Sequence, residues 1–475
     1  MEPLSKIINC CLVTGIFPDK LKIARVCPIY KSGDKSDLSN YRPVSVLNGF
    51  SKIFEKIIYA RITDYVCKNE IINPSQFGFR SGHSTYMALL NLYDKVSEAI
   101  DNNEYCIGVF IDLSKAFDTI KHDILLKNLE LYGIRGIAND LIKNYLFNRQ
   151  QFVRFNNSQS SLKNVYCGVP QGSILGPLLF LLYINDITYC CKYLKFILFA
   201  DDTNLLYSNP DFNQLINITN SELDILSDWF RANMLSLNVA KTNYMLFGFK
   251  KMQFSNNSNI KIDNFCIAKV EYTKFLGVLV DQKLCWSHHI THIASKIAKC
   301  LYILSRLRNL LSRKALLAVY YSTIYPHLNY CNILWGHASK SVLNNLIMLQ
   351  KRSIRIICNV GYRYNTGLLF KNSGVLKLLD INVYNTALFM FKYYHKLLPV
   401  SCKTFVVPRD NNLNQYNFRY CHNFNIPNYR TCLREKFIKI QGPRIWSSLP
   451  EDIRTLSTIS NFKIKLKQFL SLTYV

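Results

Sequence analysis

Two apolar runs in this chain end in carboxylates, and that pairing restricts the fold more than any other feature. Cys106 to Ile111 is followed by Asp112, and Phe196-Ile197-Leu198-Phe199-Ala200 is followed by Asp201 and Asp202. Uninterrupted runs of this length suit strands buried on both faces. If two such strands pair, the acidic side chains at their ends meet at one edge of a sheet. Hard oxygen ligands there suit magnesium, which takes one or two carboxylates and completes its shell with water and substrate phosphate. Two cations about 4 Å apart can activate a hydroxyl on one side of a phosphoryl group and hold the leaving phosphates on the other. The pattern points to nucleotide joining, with Asp112 and Asp201 bridging both ions and Asp202 supporting them. Asp118, six residues beyond Asp112, reads as a structural or helix-capping residue.

At 475 residues and 49% hydrophobic content the chain can build two or three cores. Its net charge of +27 is unevenly spread: residues 1–286 hold 31 Lys and Arg against 26 Asp and Glu, whereas residues 287–475 hold 27 against 5. Surpluses of +5 and +22 imply that the C-terminal part lies against a polyanion, nucleic acid ahead of an acidic membrane surface. The 16 cysteines include no CxxC pair, and the adjacent Cys10-Cys11 and Cys190-Cys191 suit neither a bridge nor a zinc knuckle. They read as reduced thiols in an intracellular protein. The first 30 residues lack a signal-peptide pattern. The most apolar stretch, Ile174 to Ile184, is short and carries Gly176-Pro177, so no membrane span is expected.

Periodicity divides the chain into a mixed α/β half and a helical half. Val26 to Tyr30, Tyr105 to Ile111 and Tyr244 to Phe247 read as strands, and Phe196-Phe199, a turn at Ala200-Asp202 and Leu205-Leu206-Tyr207 as a hairpin. Leu47 to Lys68, Met87 to Asn102 and Ser221 to Met234 have helical spacing. Beyond residue 287, Ile293, Ile297, Leu301, Leu304, Leu307 and Leu311 form one apolar face, with Lys296, Lys299, Arg306, Arg308 and Arg313 largely off it. Leu343 to Cys358 repeats the design, and the Asn-rich stretch 411–428 reads as a loose connection.

Several short strings carry a family likeness. Phe110-Ile111-Asp112-Leu113-Ser114-Lys115-Ala116-Phe117-Asp118 resembles the first catalytic motif of reverse transcriptases from non-LTR (LINE-type) retrotransposons. Gly168-Val169-Pro170-Gln171-Gly172-Ser173 resembles their second palm motif and Phe199-Ala200-Asp201-Asp202 the third. Trp229-Phe230 with Leu235-Ser236-Leu237-Asn238 and Lys241-Thr242 resembles the fourth, and Phe275-Leu276-Gly277-Val278 the fifth, the primer grip. Pro28-Ile29-Tyr30-Lys31, Tyr41-Arg42-Pro43-Val44-Ser45 and Gln76-Phe77-Gly78-Phe79-Arg80 match the fingers motifs of the same family. The likeness is strong over residues 1 to about 290. It continues more weakly through Tyr325-Pro326-His327-Leu328-Asn329-Tyr330 and Trp446-Ser447-Ser448-Leu449-Pro450, which are similar to elements of the jockey and chicken-repeat type.

The resemblance implies an α+β, right-hand polymerase: fingers over residues 1–100, an antiparallel-sheet palm over 101–286, a basic helical thumb over 287–400 and a C-terminal region 401–475. It implies an RNA-directed DNA polymerase that uses two Mg2+ ions, with Mn2+ as a substitute, an RNA template, a DNA primer and deoxynucleoside triphosphates. Phe117 matches the aromatic ring that excludes a ribose 2′-hydroxyl. Gln171 and Gly172 match a loop against the incoming base and template. Lys31 and Arg42, with Arg80 behind them, are candidates for clamping the triphosphate, and Lys241 matches the position proposed to protonate leaving pyrophosphate. Phe275, Leu276 and Gly277 would form the primer grip.

Other signals are weaker. His288 and His292 share a helix face, but no further zinc ligand follows at finger spacing; Cys402, Cys421, His422 and Cys432 are too irregular for a knuckle. Tyr320, Tyr321 and Trp335 suit thumb packing better than base stacking. Elements of this family normally carry an endonuclease and further N-terminal polymerase sequence. Met1 falls at about the start of the polymerase region, so an endonuclease activity supplied elsewhere is expected, from a longer element or beside a truncated remnant. The alternative function is an inactive remnant that binds nucleic acid only. A nuclease or integrase would leave Gly168 to Ser173 and the Lys31/Arg42 pair unexplained. Target-primed synthesis would favour the nucleus over the cytoplasm, although no import signal stands out.

Overall fold

The computed structural model of the protein describes residues 2–248, 259–408 and 424–474. At its centre lies the strand Tyr105–Ile111, buried at every position after Tyr105. It pairs antiparallel with Asp202–Asn209 on one side and Asn243–Phe247 on the other. Lys195–Phe199 forms one edge of the sheet and Ala268–Lys269 the other. Side chains alternate along a strand, so the apolar run serves two cores. Ile107, Val109 and Ile111 face a core shared with the helices Leu175–Ile184 and Phe212–Ala232. Cys106 and Phe110 face one shared with the helix Thr85–Asp101. Cover on both faces explains why these strands carry no polar alternation. A Cβ at Gly108 would stand 2.8 Å from the Phe247 ring, so glycine lets that ring cross the central strand.

Leu175–Ile184 is apolar around its whole circumference and buried accordingly. Pro177 sits in its first turn, where the missing N–H costs no helical bond. Fully buried Glu55 accepts from the Ile174 N–H at 2.6 Å and the Leu175 N–H at 3.4 Å, a carboxylate at the positive end of the helix dipole. Burial raises its pKa, opposed by those N–H groups and by Arg149. No described helix is long and apolar enough to cross a membrane.

A second sheet lies beside the first in the chain's N-terminal half. Ile23–Tyr30 pairs antiparallel with Tyr41–Val46 and parallel with Arg149–Phe155, so its strands come from both sides of the central palm strand in sequence. The helix predicted from Ser221 starts earlier, at Phe212, because Asp211 accepts from the Asn213 and Gln214 N–H groups and caps it there.

Beyond residue 286 the described chain is mainly helical. In Ser287–Leu307 the expected face is buried at Ile293, Ile297, Leu301 and Leu304. Leu311 falls outside it: the helix stops at Leu307 and Ser312 caps the next, Arg313–Thr323. Tyr320 and Trp335 are buried, in line with thumb packing, whereas Tyr321 is partly exposed. The end of the chain packs against the helix Thr85–Asp101. Tyr93 is stacked between Trp286 and Phe437 at 5.9 and 5.3 Å. Buried Arg434 pairs with Asp94 and donates to Ser97 Oγ at 2.8 Å. Trp446 is buried in the same core as the helix Leu378–Tyr394. Residues 411–423 of the Asn-rich stretch, with Cys421 and His422, lie outside the described residues.

Candidate active site

Asp112 follows the last paired residue of the central strand. Ile111 lies opposite Thr203, so one step on Asp112 comes level with Asp202. Phe199 pairs with Asp202, which leaves a two-residue turn of Ala200 and Asp201. The turn is one residue shorter than expected, with Asp202 already in the strand, because the ladder closes at that pair. Ala200 has φ +57°, a left-handed backbone that costs an L-residue about 1–2 kcal/mol. The three aspartates thus arrive at one sheet edge from adjacent strands.

Their electrostatics agree. Burial raises the Asp201 pKa and the charge of Asp112 adds to the rise, while Arg42 and Lys31 oppose it. The Asp202 pKa is pushed up to about 6 by burial and by Asp201 and Asp112. Because Asp202 is exposed at its surface, solvent weakens the burial contribution and the two neighbouring carboxylates are the firmer cause. Asp112 Oδ2 accepts from Asn238 Nδ2 at 2.9 Å and faces Lys241 Nζ at 3.8 Å. No three His, Cys, Asp or Glu side chains among the described residues form a group that could hold a metal ion. The aspartate edge fits an open site instead. It gathers hard oxygen donors whose like charges raise the pKa of Asp201 and Asp202, and so favours positive charge. Magnesium needs only one or two of them beside water and phosphate.

Lys31 and Arg42 are exposed on the hairpin of Ile23–Tyr30 and Tyr41–Val46, and both charges reach Asp201. Arg80 does not join them. Its guanidinium donates to the Asn73 and Gln76 carbonyls, each at 3.1 Å, and so braces its own loop. Phe117 is stacked on Phe180 at 4.6 Å with Phe79 edge-on at 6.3 Å, which fixes its ring. Gln171 Nε2 donates to both Asp118 carboxylate oxygens at 2.9 Å. Asp118 is therefore structural but caps no helix; the next helix, His122–Leu131, has Lys121 at its N-cap. A Cβ at Gly172, where φ is +119°, would come within 2.7 Å of the Ser45 carbonyl oxygen, so this loop requires glycine to lie against the fingers strand.

Leu276 and Gly277 form a two-residue turn between Tyr272–Phe275 and Val278–Asp281, with φ +46° and +82°. Both values being positive suits a tight hairpin. Tyr330 Oη donates to the Leu276 carbonyl at 2.7 Å and can accept from Thr85 Oγ1 at 3.1 Å, tying this turn to the helix Thr85–Asp101. Phe275 itself is buried in the core. His288 stacks on Tyr272 at 4.4 Å, and His289 is buried with Nδ1 accepting from the Leu279 N–H; neither joins a metal set.

Three groups at this site had no role assigned from sequence. Asn238 holds Asp112, Tyr330 holds the Leu276–Gly277 turn, and Gln76 accepts from the Ala200 N–H at 3.0 Å. Asn238, Tyr330 and Gln76 all stand inside motif strings, which was the available signal.

The family model for reverse transcriptase (RNA-dependent DNA polymerase) matches residues 30–280. The probable RNA-directed DNA polymerase from transposon BS of Drosophila melanogaster is 32% identical over 76% of this chain and 41% of its own length. The probable RNA-directed DNA polymerase from transposon X-element of the same fly is 31% identical over 79% of this chain and 42% of its own. The RNA-directed DNA polymerase from mobile element jockey of that species is 30% identical over 80% and 42%. The chain spans about two fifths of the length of these relatives.

Proposed function

Because the chain belongs to the reverse transcriptase (RNA-dependent DNA polymerase) family, we propose that it copies RNA into DNA for a non-LTR retrotransposon. The observation that carries the reading is the convergence of Asp112, Asp201 and Asp202 on one sheet edge, with Lys31 and Arg42 close enough for Asp201 to feel their charge. Members of this family generally depend on divalent metal; two magnesium ions held at this edge by aspartate, water and phosphate oxygens would activate the primer 3′-hydroxyl and neutralise the triphosphate.

The chain's own residues do the rest. Asn238 fixes the Asp112 carboxylate through its 2.9 Å hydrogen bond. Lys31 and Arg42 pair with triphosphate oxygens, which offsets the charge brought to an acidic edge. The Phe117 ring, held by Phe79 and Phe180, excludes a ribose 2′-hydroxyl and so selects deoxynucleotides. Gln171 is turned toward Asp118, so its loop supports the nucleotide pocket through backbone position, with Gly172 against Ser45. Lys241 stands beside Asp112 and donates a proton to departing pyrophosphate. The turn Leu276–Gly277 bears on the primer end, and the +22 surplus beyond residue 286 holds the template–primer hybrid.

Template, primer and nucleotides are the partners of this reading. The test is extension of a DNA primer on an RNA template with deoxynucleotides and magnesium, wild type against Asp201→Ala. Incorporation by wild type alone supports the assignment. Salt-sensitive binding without incorporation by either protein would instead favour a remnant that only grips nucleic acid.

A further inference from the structure

Lys195–Phe199 is the edge strand of the palm sheet, yet its outer side is covered. The segment Ser75–Phe77 lies along it: the Leu198 N–H donates to Ser75 O at 2.9 Å and the Phe77 N–H donates to Leu198 O at 2.8 Å. Between these bonds Gln76 forms a parallel bridge with Leu198. Its side chain is buried and runs on to the turn. Oε1 accepts from the Ala200 N–H at 3.0 Å and the Gly78 N–H at 2.8 Å, while Nε2 reaches the Ala200 carbonyl at 3.5 Å.

These contacts meet a specific need. In a two-residue hairpin turn the first turn residue has no ladder partner for its N–H or its C=O, and buried backbone groups must be paired. Here that residue is Ala200, also the one with left-handed φ. One carboxamide has both an acceptor and a donor, and Gln76 presents one to each Ala200 group. Gly78 completes the fit. A Cβ there would fall on the Ala200 nitrogen and come within 2.9 Å of the Phe199 carbonyl carbon, so only glycine lets the loop lie this close. Arg80 braces the loop from behind through the Asn73 and Gln76 carbonyls.

We infer that Gln76 is a positioning residue for catalysis: it latches the fingers loop onto the Ala200–Asp201 turn and holds Asp201 and Asp202 in the orientation that takes divalent metal. The inference rests on the polymerase reading, and it adds a residue that touches neither substrate nor metal. Glutamate at this position would keep the acceptor for the two N–H groups but lose the donor to the Ala200 carbonyl. Methionine would fill the space with neither.

The test uses the full chain as wild type, Gln76→Met, Gln76→Glu, and Gln76→Met combined with Ala200→Gly. Four quantities are read: melting temperature, affinity for an RNA–DNA primer–template without metal, the Mn2+ concentration giving half the maximal thermal shift, and the single-turnover incorporation rate. For Gln76→Met we expect an incorporation rate and a Mn2+ response each weakened about tenfold, with primer–template affinity within about twofold of wild type. Gln76→Glu should fall between. Adding Ala200→Gly should recover at least about threefold of the rate, because glycine adopts the turn's backbone without support. A residue that merely fills the core would show no such rescue, and its losses would follow the melting temperature.

Wild-type rate and Mn2+ response in Gln76→Met would overturn the latch, as would losses that glycine leaves unchanged. Should Gln76→Met not fold, Gln76→Glu decides: a rate within about twofold of wild type rejects the latch and a larger loss supports it. Should wild type itself incorporate nothing, the polymerase reading fails, and the Mn2+ thermal shift still decides whether Gln76 orients the aspartates.

Discussion

Replacing Asp202 by asparagine should make the metal-free protein more stable at neutral pH, although it removes a candidate metal ligand. In the folded chain the Asp202 pKa lies at about 6, against an ordinary value of 3.8. At about 1.4 kcal/mol for each tenfold change in proton affinity, the rise corresponds to about 3 kcal/mol against the ionised form. Asp202 is exposed, so solvent screening reduces this to about 1 kcal/mol. The sign follows from proton linkage. Between pH 4 and 6 the folded state binds more protons at this site than the unfolded state, so this group's contribution falls as pH rises through about 6. Asparagine carries no charge and escapes that loss. In a chelator, Asp202→Asn should therefore melt about 1–2 °C above wild type near pH 8. Near pH 4, where the wild-type carboxyl is largely protonated, the two should melt together. Thermal melts across this range by circular dichroism test it. A variant no more stable than wild type near pH 8, or equally favoured at both pH values, would refute the claim that like charge is crowded at this edge.

Three further outcomes follow from the same geometry. Arg434→Met leaves the buried Asp94 carboxylate unpaired and should cost about 3–5 kcal/mol, read as a fall in melting temperature; adding Asp94→Leu should restore most of it. Phe117→Val opens space beside Phe79 and Phe180, and should raise ribonucleotide incorporation relative to deoxynucleotide by about tenfold or more in competition assays. Arg42→Ala should raise the KM for deoxynucleotides about tenfold, the worth of one charged hydrogen bond, and leave primer–template affinity unchanged by fluorescence anisotropy.

What could be read from sequence follows from where the physical constraint lies. Tyr105–Ile111 was legible because a strand covered on both faces must be apolar throughout. The aspartates were legible because they end such runs inside recognisable motifs. The helix Leu175–Ile184 was not, since a segment buried all round has no amphipathic period to reveal it. Gln76 lies 124 positions from the turn it holds, so its motif string marks the residue but not the contact its carboxamide makes. The contacts of Asp118, structural as expected, and of Arg80 were not legible for a related reason. Their partners, Gln171 for the one and the Asn73 and Gln76 carbonyls for the other, depend on loop conformation. Docking of Arg434 onto Asp94 spans most of the chain and has no sequence period at all.

Electron paramagnetic resonance of Mn2+ bound to the protein with a primer–template and a non-hydrolysable deoxynucleotide addresses the shared metal site most directly. A spin-coupled pair about 4 Å apart should form in wild type and be lost in both Asp112→Asn and Asp201→Asn. Isolated Mn2+ signals in wild type, or a coupled pair that survives either substitution, would contradict the account.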